Sequence, residues 1–293
     1  MSISASQVKQ LREQTGAGMM ECKSALVEAD GDMENAIQIM RKKGQAKASK
    51  KAGRVAAEGA IFIEMNEDHT QAQMIEINSE TDFVARDENF LAFGRSVVQT
   101  ALKHQTDDVS QLGDIEMNDG TTIEQARKDL VAKIGENIQL RRLRFCQAQG
   151  VLSCYLHGER IGVVVDTSPA NAQVGKDIAM HVAAFNPQAI KPEDVPQEVV
   201  DKEKAIFREQ AQESGKPEHI IDKMISGRIN KFINESCLYG QAFAKNPEQT
   251  VADYLKEQGC DVENFYRLEV GEGIETEQKD FASEVQEQLT GQE

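Results

Sequence analysis

The sequence predicts an α+β protein of several packed units, and three patterns carry that expectation. Three runs of helical period fall before residue 45. Two short alternating runs followed by a helical run occur twice, about ninety residues apart. A charged helical pair then occupies residues 191–236. At 293 residues, 28% charged and 40% hydrophobic, the chain exceeds ordinary single-domain size and has the composition of a folded protein.

In the first unit, Val8 and Leu11 stand three apart and Gly16 stops their helix. Cys22, Ala25, Leu26 and Ala29 mark a second helix, ended by Gly31. Asp32 can cap a third, because its carboxylate can accept from the exposed amides of the first turn; Met33, Ala36, Ile37 and Met40 supply its stripe. Residues 1–54 thus read as a three-helix bundle resembling the ubiquitin-associated fold, followed by a basic linker helix carrying Arg41, Lys42, Lys43, Lys47, Lys50, Lys51 and Arg54. RNA binding is one reading of that linker. No aromatic is interleaved to stack on bases, which favours a solvated linker or a docking surface for an acidic protein.

Residues 55–145 form the first core subdomain: runs Ala60–Met65 and Ala72–Ile77 around a polar turn, a helix capped by Asp87 with Phe90, Val97, Val98 and Ala101, and a helix with Ile123, Ala126, Leu130 and Ile134 ended by Gly135. The second, residues 146–190 and 237–265, repeats the order with Val151–Leu156, the turn His157-Gly158-Glu159-Arg160, Ile161–Val165 and a helix from Gly175 to Phe185. Slight identity between the halves leaves two independent hairpins as the alternative to an internal duplication. The inserted segment 191–236 reads as an antiparallel helical hairpin of coiled-coil type, with Val199, Ile206 and Phe207 before Ser214-Gly215-Lys216-Pro217 and Ile221, Met224, Ile225, Ile229 and Phe232 after it. Residues 266–293 form a carboxy-terminal module, alternating through Tyr266, Leu268 and Val270, then helical with Phe281 and Val285.

Charge and motif content exclude several function classes. A net charge of -16 argues against broad affinity for nucleic acid, which needs many cations at phosphates. Neither a secretory leader nor a run of 18 apolar residues occurs, so a cytoplasmic protein with no membrane contact is expected. Five scattered cysteines without a Cys-x-x-Cys pair read as reduced core thiols. No phosphate-binding loop, dinucleotide fingerprint, His-Glu-x-x-His pair or nucleophile elbow is present. Hence no catalysis, cofactor or metal is expected of the chain itself.

Thr81-Asp82-Phe83-Val84-Ala85 stands apart, placing a large aromatic beside a carboxylate just after a strand in a polar surround. Sequence physics alone favours an ordinary helix-entry loop with Phe83 folded inward, since buried loop aromatics outnumber interface anchors. His157 is notable among the histidines because it begins a tight turn beside Gly158.

The run from Leu11 to Lys23, LREQTGAGMMECK, resembles the opening of the bacterial elongation factor Ts family. The likeness continues in order through Thr81–Ala85, His157–Val163, Met180–Ala184 and Glu269–Glu275. Ala184-Phe185-Asn186-Pro187 departs from a more polar family run, and residues 236–249 fit loosely. The resemblance implies a nucleotide exchange factor without covalent chemistry that binds elongation factor Tu, in its GDP-bound and nucleotide-free forms, and promotes replacement of GDP by GTP. It implies that Thr81, Asp82, Phe83 and Val84 intrude beside the partner's magnesium and phosphate site, and that His157 and Gly158 touch the same domain. Self-association, as a homodimer or a 2:2 complex, is left open. The rival readings are an adaptor scaffold for ubiquitin-like or ribosomal partners and an RNA-associated protein using residues 41–54.

Overall fold

Local capping chemistry sets the helix ends in the computed structural model, which describes residues 3–212 and 217–275. Ser4 opens α1 (Ala5–Thr15) through a capping box with Gln7, and Gly16 closes it in the left-handed region. After α2 (Met19–Glu28), Asp32 opens α3 (Met33–Lys51) by accepting the Asn35 amide at 2.8 Å. The first core unit follows as β1 (Glu58–Met65), β2 (Gln71–Ser79), α4 (Asp82–Ala85), α5 (Glu88–His104), α6 (Val109–Leu112), α7 (Ile123–Ile134) and β3 (Ile138–Gln147). Asp87 caps α5 and Gly135 closes α7, as their positions predict.

The second unit comprises β4 (Val151–His157), β5 (Ile161–Ser168) and α8 (Ala172–Phe185). Two long helices, α9 (Gln197–Gln212) and α10 (Glu218–Ser236), come next. The described chain then finishes with β6 (Ala242–Phe243), β7 (Asn246–Thr250), α11 (Val251–Gln258) and β8 (Asp261–Glu269). The expected turn at Gly215 and the expected helix with Phe281 and Val285 lie outside the described residues.

Two three-stranded antiparallel sheets, ordered β1-β2-β3 and β4-β5-β8, form the centre. Alternation along each central strand divides its side chains between two faces. Ile75 and Ile77 of β2 pack with Phe90, Val97 and Val98 of α5, while Ala72 and Met74 face the other way. Val163 and Val165 of β5 pack with Ile178 and Val182 of α8, while Val164 joins Ala72 and Met74. The molecule is therefore layered helix, sheet, sheet, helix, which buries both faces of β2 and β5.

Glu76 lies on the inner face, fully buried, and would be costly there without partners. Arg141 bonds it at 2.9 Å, and it accepts the Gly271 amide at 2.8 Å and Asn78 Nδ2 at 3.0 Å.

Several sequence expectations require correction. The basic stretch is not a separate linker, because α3 runs unbroken from Met33 to Lys51. Its buried Gly44 and Ala48 allow close approach to α7; a Cβ at position 44 would stand 3.0 Å from that of Ala132. Lys43, Lys47 and Arg54 pair with Glu28, Glu21 and Glu80, and Lys51 bonds the Gly135 carbonyl. That leaves less of the segment as a free basic face.

Strands β3 and β8 run across the expected boundaries at 145/146 and 265/266, so both cuts fall inside hydrogen-bonded sheet. The alternation at Tyr266 and Leu268 belongs to β8, the third strand of the second sheet. In the helical pair, Ala211, Ile221, Ile225 and Ile229 are buried with Val200 and Phe207, whereas Ile206 is exposed. A separate cluster of Ala189, Val195 and Cys237, joined by Val200 and Ile233, seats the base of the pair.

Candidate partner-binding site

A strand end, a cap and one turn of helix present Phe83. Thr81 takes extended backbone (φ -124°, ψ 157°) and its hydroxyl accepts the Val84 amide at 3.4 Å, opening α4. The same hydroxyl donates to Glu136 Oε1 at 2.8 Å, and the Thr81 amide donates to Oε2 at 3.0 Å.

Val84 and Ala85 are buried beneath the turn, while Phe83 is 80% exposed. Successive residues of a helix differ by roughly 100° in direction, so a single turn that seats Val84 and Ala85 in the core directs Phe83 away from it. The expectation of an inward Phe83 in a loop is thereby corrected. Burial of such a ring would stabilise a fold by about 1.5–3 kcal/mol, most of which this exposed ring does not contribute. Asp82 bonds Arg86 at 2.9 Å on the exposed surface, where such a pair contributes roughly 0–1 kcal/mol.

His157 lies at the end of β4, in the turn to β5. Gly158 (φ 54°) and Glu159 (φ 59°) both take positive φ, the signature of a type I′ hairpin turn, and Arg160 closes it by donating its amide to the His157 carbonyl at 3.1 Å. His157 is exposed, with Nδ1 3.1 Å from the Tyr155 hydroxyl. The turn docks on β1: the Ile61 amide bonds the Glu159 carbonyl at 2.7 Å, and Arg160 pairs with Glu58. Since Glu58 pairs with Ser79, two residues before Thr81, the β4–β5 turn that carries Arg160 sits beside the end of the β1–β2 pair from which Thr81 leaves. The structure thus brings Thr81–Val84 and His157–Gly158 to one rim.

A second apolar surface lies on the amino-terminal helices. Met19, Met20 and Val27 of α2 are exposed, and a cleft of about 670 Å³ opens between α2, α3 and α7. Sequence reasoning missed Glu136, whose bonds to Thr81 span 55 positions and leave no local signal beyond its place after Gly135.

Among the described residues no cluster of His, Cys, Asp or Glu could hold a metal ion, and no helix is long and apolar enough to cross a membrane. The five cysteines are free thiols; burial pushes Cys146 up to about 12, far from the thiolate a nucleophile requires. His181 is fully buried, its Nδ1 accepting the Ala244 amide at 3.1 Å and its Nε2 facing Gln241 Oε1 at 2.8 Å.

The fold and this rim define a class: an α+β scaffold that holds an unburied aromatic on a braced turn, available to another molecule. Residues 80–272 match the family described as Elongation factor TS. Elongation factor Ts of Alcanivorax borkumensis is 54% identical over 284 residues, covering 97% of this chain and all of that protein. Those of Alkalilimnicola ehrlichii and Legionella pneumophila strain Paris are each 54% identical, covering 99% and 98% of this chain and 100% and 99% of theirs. The chain belongs to the elongation factor Ts family, a family of translation elongation factors.

Proposed function

We propose that this chain binds elongation factor Tu and promotes release of its GDP, with Asp82 and Phe83 entering beside the partner's magnesium and phosphate site. The exposure of Phe83 on a turn whose Val84 and Ala85 are buried carries this reading. A ring inserted there would disturb the metal that neutralises phosphate charge, and weaker phosphate holding would speed GDP departure. Thr81 and Val84 set the turn, while His157 and Gly158 make a second contact from the same rim.

The three amino-terminal helices form a ubiquitin-associated-like docking module in this reading, with Met19, Met20 and Val27 on its contact surface. The two sheet units serve as related core subdomains and the helical pair as an inserted coiled-coil appendage in a cytoplasmic factor. By linkage, whatever weakens GDP on the partner is itself bound less tightly by the GDP form than by the nucleotide-free form, by the same factor.

Release of labelled GDP from elongation factor Tu, with and without a saturating amount of this chain, tests the proposal. Faster release is expected. An unchanged rate despite binding would favour the adaptor reading.

A further inference from the structure

Residues 80–81 and 136–137 form a reciprocal brace. Glu136 accepts the Thr81 amide and hydroxyl at 3.0 and 2.8 Å, while Glu80 accepts the Asn137 amide at 2.6 Å. Each segment's carboxylate thus satisfies the backbone of the other. The corner is tied to the end of α3 as well: Asn137 Nδ2 donates to the Arg54 carbonyl at 2.8 Å, and Lys51 bonds the Gly135 carbonyl. A helix as short as Asp82–Ala85 has no stability of its own, because nucleating one turn fixes several residues for very few hydrogen bonds. The direction of Phe83 therefore depends on what grips Thr81.

We infer that Glu136, seconded by Glu80, is a positioning residue that fixes the direction of Phe83 and so sets the maximal rate of nucleotide release without touching the nucleotide site. This rests on the reading of Phe83 as the exchange element. The geometry assigns different tasks to the two carboxylates. Glu136 holds both donors of the cap residue itself, whereas Glu80 holds the opposite segment and also pairs with Arg54 at 3.4 Å. Exchanging Glu136 for glutamine removes the charge and leaves one acceptor in place of two, so the Thr81 hydroxyl has to turn and accept from the –NH₂, and its own donated bond is lost.

Because the sequence contains no tryptophan, Phe83→Trp in the full-length protein supplies a single reporter on the turn. Its time-resolved fluorescence anisotropy should show little fast local motion, and adding Glu136→Gln should raise the amplitude of that component about twofold. With Phe83 in place, Glu136→Gln should lower the saturating rate of labelled-GDP release from elongation factor Tu about fivefold, as loss of one hydrogen bond of ~1 kcal/mol implies. The concentration for half-maximal effect should move much less. Thr81→Val, which removes one donor and keeps the shape, should act in the same direction if Glu136→Gln folds poorly. In a Phe83→Ala background, Glu136→Gln should slow release no further.

Unchanged anisotropy in both Glu136→Gln and Thr81→Val would overturn the brace. Equal slowing with and without the Phe83 ring would overturn the claim that Glu136 acts through it. Normal release by Phe83→Ala would instead remove the reading of Phe83 and the inferred consequence for exchange, while the anisotropy would still decide the brace.

Discussion

Gly162 of β5 lies directly beneath Ile61 of β1, and a Cβ at position 162 would stand 2.5 Å from Ile61 Cγ2. The contact lets the two sheets meet closely where the Glu159 carbonyl receives the Ile61 amide. Gly162→Ala should therefore destabilise the fold by about 1–3 kcal/mol through overpacking. Ile61→Ala should relieve part of that cost, making the double variant more stable than the sum of the singles predicts. Chemical denaturation of the four proteins gives the comparison; additive losses would mean the sheets are not in contact there.

Phe83→Ala should separate activity from stability. With the ring 80% exposed, its removal should change unfolding free energy by no more than about 0.5 kcal/mol. Loss of about 2 kcal/mol of coupling to the partner would slow saturated GDP release roughly thirtyfold. Asp82→Ala should act in the same direction and non-additively, since adjacent groups share one contact. A large drop in melting temperature would show that the ring supports the fold after all.

His181 should make stability fall in mild acid. Burial holds it below the ordinary value of 6.5, with the Gln241 bond opposing that shift. The unfolded chain therefore binds this proton first as pH drops. Stability from neutral His181 is complete above the unfolded value and is lost as pH falls below it, by at most about 1.4 kcal/mol per unit until the folded group titrates. Protonation would also set an N–H at Nδ1 against the Ala244 amide. Melting temperatures from pH 7.5 to 5.5 should drop more in the native protein than in His181→Gln, and parallel curves would argue against this role.

Excising residues 203–230 with a short linker should leave both sheets folded. The buried contacts of Ala211, Ile221, Ile225 and Ile229 are within the helical pair, and the cut spares Val195, Val200, Ile233 and Cys237 at its base. Circular dichroism should lose helix signal in proportion to the excised length while the cooperative transition remains. Collapse of that transition would place the pair within the core.

Local chemistry was legible in the sequence and distant pairing was not. Asp32, Asp87 and Gly135 mark helix ends because a cap acts within a few residues of itself. Strand β3 escaped notice because Arg141, Arg142 and Arg144 mask its alternation; Glu76, far away in sequence, gives the first two their partner. The union of basic segment and third helix was hidden for a similar reason, since Gly44 looks like a break until Ala132 lies against it. At the candidate site, the family resemblance pointed to Thr81–Val84 and His157, whereas the residue pattern alone turned Phe83 inward; its outward direction follows from Val84 and Ala85 occupying the core side.

The order of strands along the chain carries a consequence for synthesis. Strand β5 is the middle of its sheet, yet its second neighbour, β8, follows only after residues 169–260. While those residues emerge from the ribosome, β5 can pair with β4 but not with β8. Its run Ile161-Gly162-Val163-Val164-Val165 is uncharged and rich in strand-forming residues, and its other edge stays open. The first sheet, complete by Gln147, covers one face of β5 through the Gly162 and Val164 contacts without closing that edge. A nascent chain halted before Asp261 therefore carries an unpaired central strand, the kind of edge through which partly made proteins join one another.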